Sequence, residues 1–133
     1  MSLARAFDIA AGAVAAQAQR LNAVASNLAN AESAAAPNES PYRARQVLFE
    51  ATPARDGTAG VRVAAVLEDP APARRHYDPR HPLADAQGYV TLSNVNVVDE
   101  MINMVSAARA YQNNLEVMNT AKTLMLRTLN LGA

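Results

Sequence analysis

The 133-residue chain has no cysteine and no tryptophan, only two phenylalanines and four tyrosines, and no excess of either charge. Each absence excludes something. Without cysteine there is no disulfide framework and no thiolate to act as metal ligand or nucleophile, a composition suited to a chain that crosses a membrane unfolded or works in an oxidising compartment. With so few aromatic residues, and an apolar fraction made largely of alanine, large side chains for a globular core are scarce. Twelve basic residues balance twelve acidic ones and are scattered, so there is no electrostatic footprint for nucleic acid or an anionic membrane. No run approaches the roughly 18 to 20 apolar residues of a membrane span. Arg5 followed by FDIAAGAVAAQA imitates a signal peptide, but Asp8 and Gln17 interrupt the apolar stretch and the helical pattern continues past Arg20, so the segment reads as mature sequence.

What is present falls into three regions: 1–31, 32–94 and 95–133. From Ser2, which suits a helix N-cap, to about Ala31, residues Phe7, Val14, Leu21 and Leu28 recur every seven positions, with Ala10, Val24 and Ala31 three residues after three of them. Gln17 occupies one seam position and Gly12 weakens the helix, which ends at AESAAAPNESP. Such a helix is about 45 Å long at roughly 1.5 Å per residue. The middle holds all seven prolines. Strands are predicted at 42–50 and 61–68, joined by a loop containing Asp56-Gly57, with a third short strand at 88–92. The proline-rich run DPAPARRHYDPRHPLAD between them is expected to be extended. The C-terminal region opens with Asn96 and Asp99, in the manner of a capping box, and with Asp99 and Glu100 at the positive end of the helix dipole. Val97, Met101, Met104, Ala108, Tyr111, Leu115, Met118, Lys122, Met125 and Leu129 then alternate four and three residues apart, a coiled-coil seam with one polar interruption. The fold class that follows is mainly α with a small β-rich insertion: the terminal helices pack as a coiled-coil-like pair, and the middle projects from them with short strands and extended proline-rich loops.

The other faces of these helices are unusual. Gln19, Asn22, Ser26 and Asn30 lie away from the first seam, and Asn103, Ser106, Ala110, Asn113, Val117, Thr120, Leu124 and Thr128 form a second stripe on the C-terminal helix. A solvated helix normally carries opposite charges four residues apart. Small residues and amides tolerate burial better than charges do, provided the amides find partners. The stripes are therefore expected to be buried in an assembly, the alternative being an ordinary soluble helix of low charge. Chemistry is hard to find. HYDPRHPLAD places His76 and His81 near Asp78 and Asp85, but two histidines across two prolines make a poor template for convergent metal ligation. There is no phosphate loop and no nucleophile motif, and the tyrosines read as packing anchors. Neither a cofactor nor a catalytic residue is expected.

LNAVASNLANAES, containing Leu21, Asn22, Ser26, Asn27, Leu28, Ala29 and Asn30, resembles the N-terminal signature of the bacterial flagellar axial proteins, the family of rod, hook and hook-associated subunits. Ser26 stands where that family more often has asparagine. NVNVVDEMINMVSAARAYQNNLEVMNTAKTLM resembles the matching C-terminal signature through Asn94, Val95, Val98, Glu100, Met101, Met104, Ala108, Arg109, Tyr111, Asn114 and Val117, with Leu115 and Met118 on its seam. In the middle, Pro41 and Tyr42 of PYRARQVLFE, and Pro82, Leu83, Ala84, Asp85, Gly88, Tyr89 and Val90 of PLADAQGYV, look like the short proximal-rod members. The resemblance is weakest over 51–78. It implies a structural subunit of the basal-body rod, exported through the flagellar type III apparatus without a cleaved signal peptide and assembled in the periplasm. Its terminal helices would line a tube around the export channel, the middle would form an outer layer, and the signature residues would serve assembly. Partners would be copies of itself, other rod subunits and the rotor ring of the inner membrane, with no nucleic acid and no direct insertion into the membrane. A soluble helical-hairpin adaptor or export chaperone, and a small metal enzyme using His76 and His81, are the competing readings of the residues alone.

Overall fold

The structure is a computed structural model describing residues 2–132. Two long helices, α1 (Leu3–Ala29) and α2 (Val97–Leu131), flank four strands: β1 (Arg45–Pro53), β2 (Ala59–Glu68), β3 (Arg75–Tyr77) and β4 (Tyr89–Thr91). The strands form two separate two-stranded sheets, β1 with β2 and β3 with β4. The chain is thus mostly helical with a small strand region in the middle. No described helix is long and apolar enough to cross a membrane.

Local chemistry accounts for the helix ends. The Ser2 hydroxyl accepts the Arg5 N–H at 3.0 Å and the Asn96 side chain accepts the Asp99 N–H at 3.1 Å, each satisfying a donor that has no partner within its helix. Gly12 lies against β2, where a Cβ would meet the Val61 carbonyl oxygen at 3.4 Å, close to ordinary contact. On α1, Ala10 and Val24 are buried as the heptad predicts, with Ala16 and Asn27 beside them, and Ala31 is buried just past the helix end. Gln17 keeps its seam position, and its side-chain oxygen is buried without a hydrogen-bond partner among the described residues.

On α2 half of the predicted seam shifts by one residue. Val97, Met104, Tyr111, Met118 and Met125 face inward, but the intervening inward positions are Glu100, Ala107, Asn114 and Ala121, while Met101, Leu115 and Lys122 are exposed and Ala108 is half-buried beside Ala107. Ala107 is 0% and Ala121 4% exposed, whereas Met101 is 57% and Leu129 69% exposed. The buried line therefore lacks the lysine interruption, and the bulkier apolar residues are left outside. α2 carries two adjacent apolar stripes, and hydropathy alone favours the larger side chains.

Among the strands, β1 begins at Arg45 rather than Tyr42, and β2 starts two residues before the expected position. β4 is confined to three residues. The largest departure is β3, which sits within the stretch expected to be merely extended. It pairs antiparallel with β4 in the register Arg75 to Thr91, His76 to Val90 and Tyr77 to Tyr89. Residues 78–88 then run through consecutive turns, closed by the His81 N–H on the Asp78 carbonyl at 3.1 Å and the Ala84 N–H on the His81 carbonyl at 3.1 Å.

The chain divides into two compact units: Met1–Leu21 with Val47–Ala65 and Val105–Ala133, and Asn22–Gln46 with Val66–Met104. In the second unit Ala31, Ala44 and Val95 form a small core, covered by Tyr42 and Val97.

Candidate functional site

In the second unit the amide-rich end of α1 meets a segment from each of the other regions singled out in the sequence. Asn27 is 1% exposed. Its carbonyl oxygen accepts the Tyr42 hydroxyl at 2.8 Å and the Arg45 N–H at 2.8 Å, and its amide nitrogen donates to the Arg45 carbonyl and to a Glu100 carboxylate oxygen, both at 2.9 Å. An asparagine side chain has capacity for two acceptances and two donations, and all four are in use. By pairing with both the N–H and the C=O of Arg45, the amide stands in for a neighbouring strand at the start of β1. Because the Tyr42 proton is committed to Asn27, the Ser26 hydroxyl must donate to the Tyr42 oxygen, 2.9 Å away. The other Glu100 oxygen accepts from Asn103 at 3.3 Å. Asn27, expected from the sequence to serve assembly, thus has every hydrogen-bonding position filled within its own chain.

Ser26 and Asn30 are likewise engaged locally, Asn30 donating to the Ser26 carbonyl at 2.9 Å and accepting from the Ser33 hydroxyl at 3.2 Å. Leu21 and Leu28 are half-buried, while Asn22 and Ala29 are exposed. Of the N-terminal signature, those last two are the most open, and Asn27 alone is fully buried.

A second amide lock holds the segment before α2. Asn94 accepts the Ala44 N–H at 2.7 Å and donates to the Asp69 and Ala71 carbonyls at 3.0 and 2.9 Å. Arg43 reaches the same two carbonyls. Ser93, fully buried, donates to the Ala31 carbonyl at 2.7 Å, which also accepts from Arg74 at 2.6 Å. Arg43, Arg45, Arg74 and Ser93 carry no sequence signal of these roles, since each works through backbone groups distant in the chain.

The PLADAQGYV segment is a turn organised by Asp85. One of its oxygens accepts the Gln87 and Tyr89 N–H groups at 2.9 and 3.0 Å and the other pairs with Arg75 at 2.6 Å. The Tyr89 N–H first, then the Gln87 N–H and the Arg75 guanidinium, hold this carboxyl below the ordinary aspartate range. Gly88 is buried with φ near +87°, and a Cβ there would come within 2.8 Å of the Tyr77 ring. Tyr77 and Tyr89 meet edge to face at 5.3 Å, and the Arg75 guanidinium lies 4.8 Å from the Tyr89 ring centre. Val90 is buried, Leu83 and Ala84 are half-buried, and Pro82 is exposed; Pro41 and Tyr42 are half-buried. His81 accepts the Leu83 N–H at 3.0 Å, so its ring serves the turn.

The C-terminal signature divides between inside and outside. Glu100, Met104, Ala108, Tyr111, Asn114 and Met118 are partly buried, and Asn114 donates to the Ala110 carbonyl at 2.8 Å. Val98, Met101, Arg109, Leu115 and Val117 are exposed. In the first unit, Leu3 and Ala6 of α1, with Asn113, Glu116, Val117, Thr120, Ala121 and Leu124 of α2, line an open groove of about 470 Å³. The arrangement offers structure and surface. Its polar groups are directed at one another and at the backbone.

Two family models match the ends of the chain: one described as flagella basal body rod protein over residues 7–32, and one described as flagellar basal body rod FlgEFG protein C-terminal over 86–131. The chain is 56% identical to the flagellar basal-body rod protein FlgC of Yersinia enterocolitica, and 55% identical to proteins of the same name from Salmonella typhimurium and Escherichia coli O157:H7. In each case the match covers 99% of both chains.

Proposed function

The chain belongs to the family of the flagellar basal-body rod protein FlgC, and from that premise we propose how its parts serve a rod. It is a structural subunit of the basal-body rod, not an enzyme, and it associates with other rod subunits to support motility. In our reading α1 and α2 form a coiled-coil-like pair, supported by the three-and-four spacing of the inward positions of α2. Residues 1–31 and 95–133 act as the terminal assembly domain around the export channel, and 32–94 as the outer part. The subunit is exported unfolded through the flagellar type III apparatus without a cleaved signal peptide, assembles in the periplasm and bears on the rotor ring, transmitting torque.

The observation that carries this reading is the surface of α2. Val98, Met101, Ile102, Val105, Leu115, Val117, Leu124, Leu126, Leu129 and Leu131 are all exposed. An apolar display of that extent on one helix is uncommon unless a partner covers it. Complementation in a strain lacking the native gene tests it. Truncation after Asn114 and the point changes Leu115→Lys and Leu129→Lys should each abolish or strongly reduce swimming. The point variants should remain as folded as the parent by circular dichroism. Normal swimming by all three overturns the proposal.

A further inference from the structure

The two compact units differ in charge. The unit built from the two chain ends and residues 47–65 holds seven of the twelve basic residues and four of the twelve acidic ones, a net of +3. The other holds five and eight, a net of −3. Each unit also has an uncovered apolar surface. The acidic unit shows Val98, Met101 and Ile102 at helical spacing in the first turns of α2, each more than half exposed, with exposed Asp99 among them. The basic unit has the groove lined by Leu3, Ala6, Val117, Thr120, Ala121 and Leu124, and Arg127 borders an adjoining hollow that shares Thr120 and Leu124. Ala6, Thr120 and Ala121 are small members of the groove lining, and Glu116 is its one acidic member.

We infer that the occupant of this groove is the start of α2 from a second copy of the chain, seated through Val98, Met101 and Ile102 and oriented by Asp99 facing Arg127. The contact is heterologous, so every copy offers one groove and one stripe, and association runs head to tail rather than closing as a two-fold dimer. The opposite charges of the two units favour that direction and disfavour like-to-like pairing. This rests on the rod-subunit reading and names a contact within it.

The chain has no cysteine of its own, so paired labels are unambiguous. The full chain carrying Ile102→Cys and Val117→Cys, treated with a short bis-maleimide in purified basal bodies and in concentrated solution, should give a ladder of dimers and higher species. Either single-cysteine chain should stay monomeric, and raising salt from 0.1 to 1 M should cut the ladder in solution several-fold as screening shortens. Asp99→Arg or Arg127→Asp alone should reduce the ladder at least five-fold, and the two changes together in one chain should restore it. Dimers from the single-cysteine chains as abundant as those from the double variant overturn the inference, as does failure of the charge swap to restore the ladder. A double-cysteine chain present in basal bodies but not cross-linked there removes this contact and leaves the rod reading intact. Absence of the unmodified chain from basal bodies removes both.

Discussion

Two amides on one helix, ten residues apart, meet opposite fates. Asn27, in the second unit, is buried with all four hydrogen-bonding positions filled by Tyr42, Arg45 and Glu100. Gln17, in the first, has a buried oxygen with no partner among the described residues. The contrast extends to their surroundings. The second unit is fixed by side chains that grip distant backbone, as Asn94, Arg74 and Ser93 also do, whereas the first relies on small residues such as Ala10, Ala16, Ala107 and Ala121. A saturated buried network specifies one arrangement and is costly to interrupt, whereas small side chains bury little apolar area each and leave more of the unit's stability to whatever covers it. A subunit that must arrive with one part correctly formed and another ready for neighbours would be built in this way.

The strongest way to break the contrast is Asn27→Ala. It leaves both Arg45 backbone groups, the Tyr42 hydroxyl and a Glu100 oxygen without their partner, and should lower stability by about 3 to 5 kcal/mol. Urea unfolding of the purified chain measures it, and exposed Asn22→Ala in the same series should stay within about 0.5 kcal/mol of the parent. A loss below about 1 kcal/mol for Asn27→Ala would mean that the network is not what holds this unit. Gly88→Ala follows in size. The positive φ and the Tyr77 ring at 2.8 Å from the new Cβ both oppose it, for a loss of about 1 to 3 kcal/mol. Gly57→Ala, where φ is also positive but nothing lies within 4 Å, should lose less, and the difference between the two isolates the clash.

How much of this was legible in the sequence depends on the kind of signal. Both helices, the caps at Ser2 and Asn96 and the seam through Ala10, Val24 and Ala31 follow from periodicity and short-range chemistry. The half-shifted seam of α2 does not: Met101 and Leu115 outrank Glu100 and Asn114 on any hydropathy scale, and only the Asn27 amide, 73 positions away, explains why the glutamate turns inward. Asn27 is not distinguished in the sequence from its charge-free neighbours, because an amide suits a subunit interface as well as a polar core. The three signature segments read separately in the sequence, yet Asn27, Tyr42 and Glu100 form one network inside a single chain. β3 was hidden because Arg-His-Tyr between prolines has no alternation to read, and its existence depends on pairing with β4.

Gln17→Leu probes the same contrast with the opposite sign. Removing a buried, unpartnered oxygen at similar volume should stabilise the isolated chain by about 1 kcal/mol. If the native glutamine instead finds its partner in a neighbouring subunit, the same variant should be more stable alone yet swim less well. Thermal unfolding and a motility assay separate those outcomes, and a destabilised variant would show that the oxygen is satisfied within the chain.

The smallest effect concerns pH. Asp85 is held below the ordinary aspartate range chiefly by the Tyr89 N–H, and Asp56 is shifted the same way chiefly by the Thr58 hydroxyl. A carboxyl whose pKa is lower in the folded chain binds fewer protons there than when unfolded, so its contribution is fully present above the unfolded value of about 3.9 and is lost as pH falls through the folded value. The stability of the parent should therefore begin to decline below about pH 4, with Asp85→Asn removing part of the slope in the second unit and Asp56→Asn part of it in the first. Both carboxyls are solvent-accessible, so each change should be modest. Amide exchange at Gln87, Tyr89 and Thr58, followed from pH 5 to pH 3, reads the two sites independently. Equal slopes in the parent and both variants would show that acid acts elsewhere in the chain.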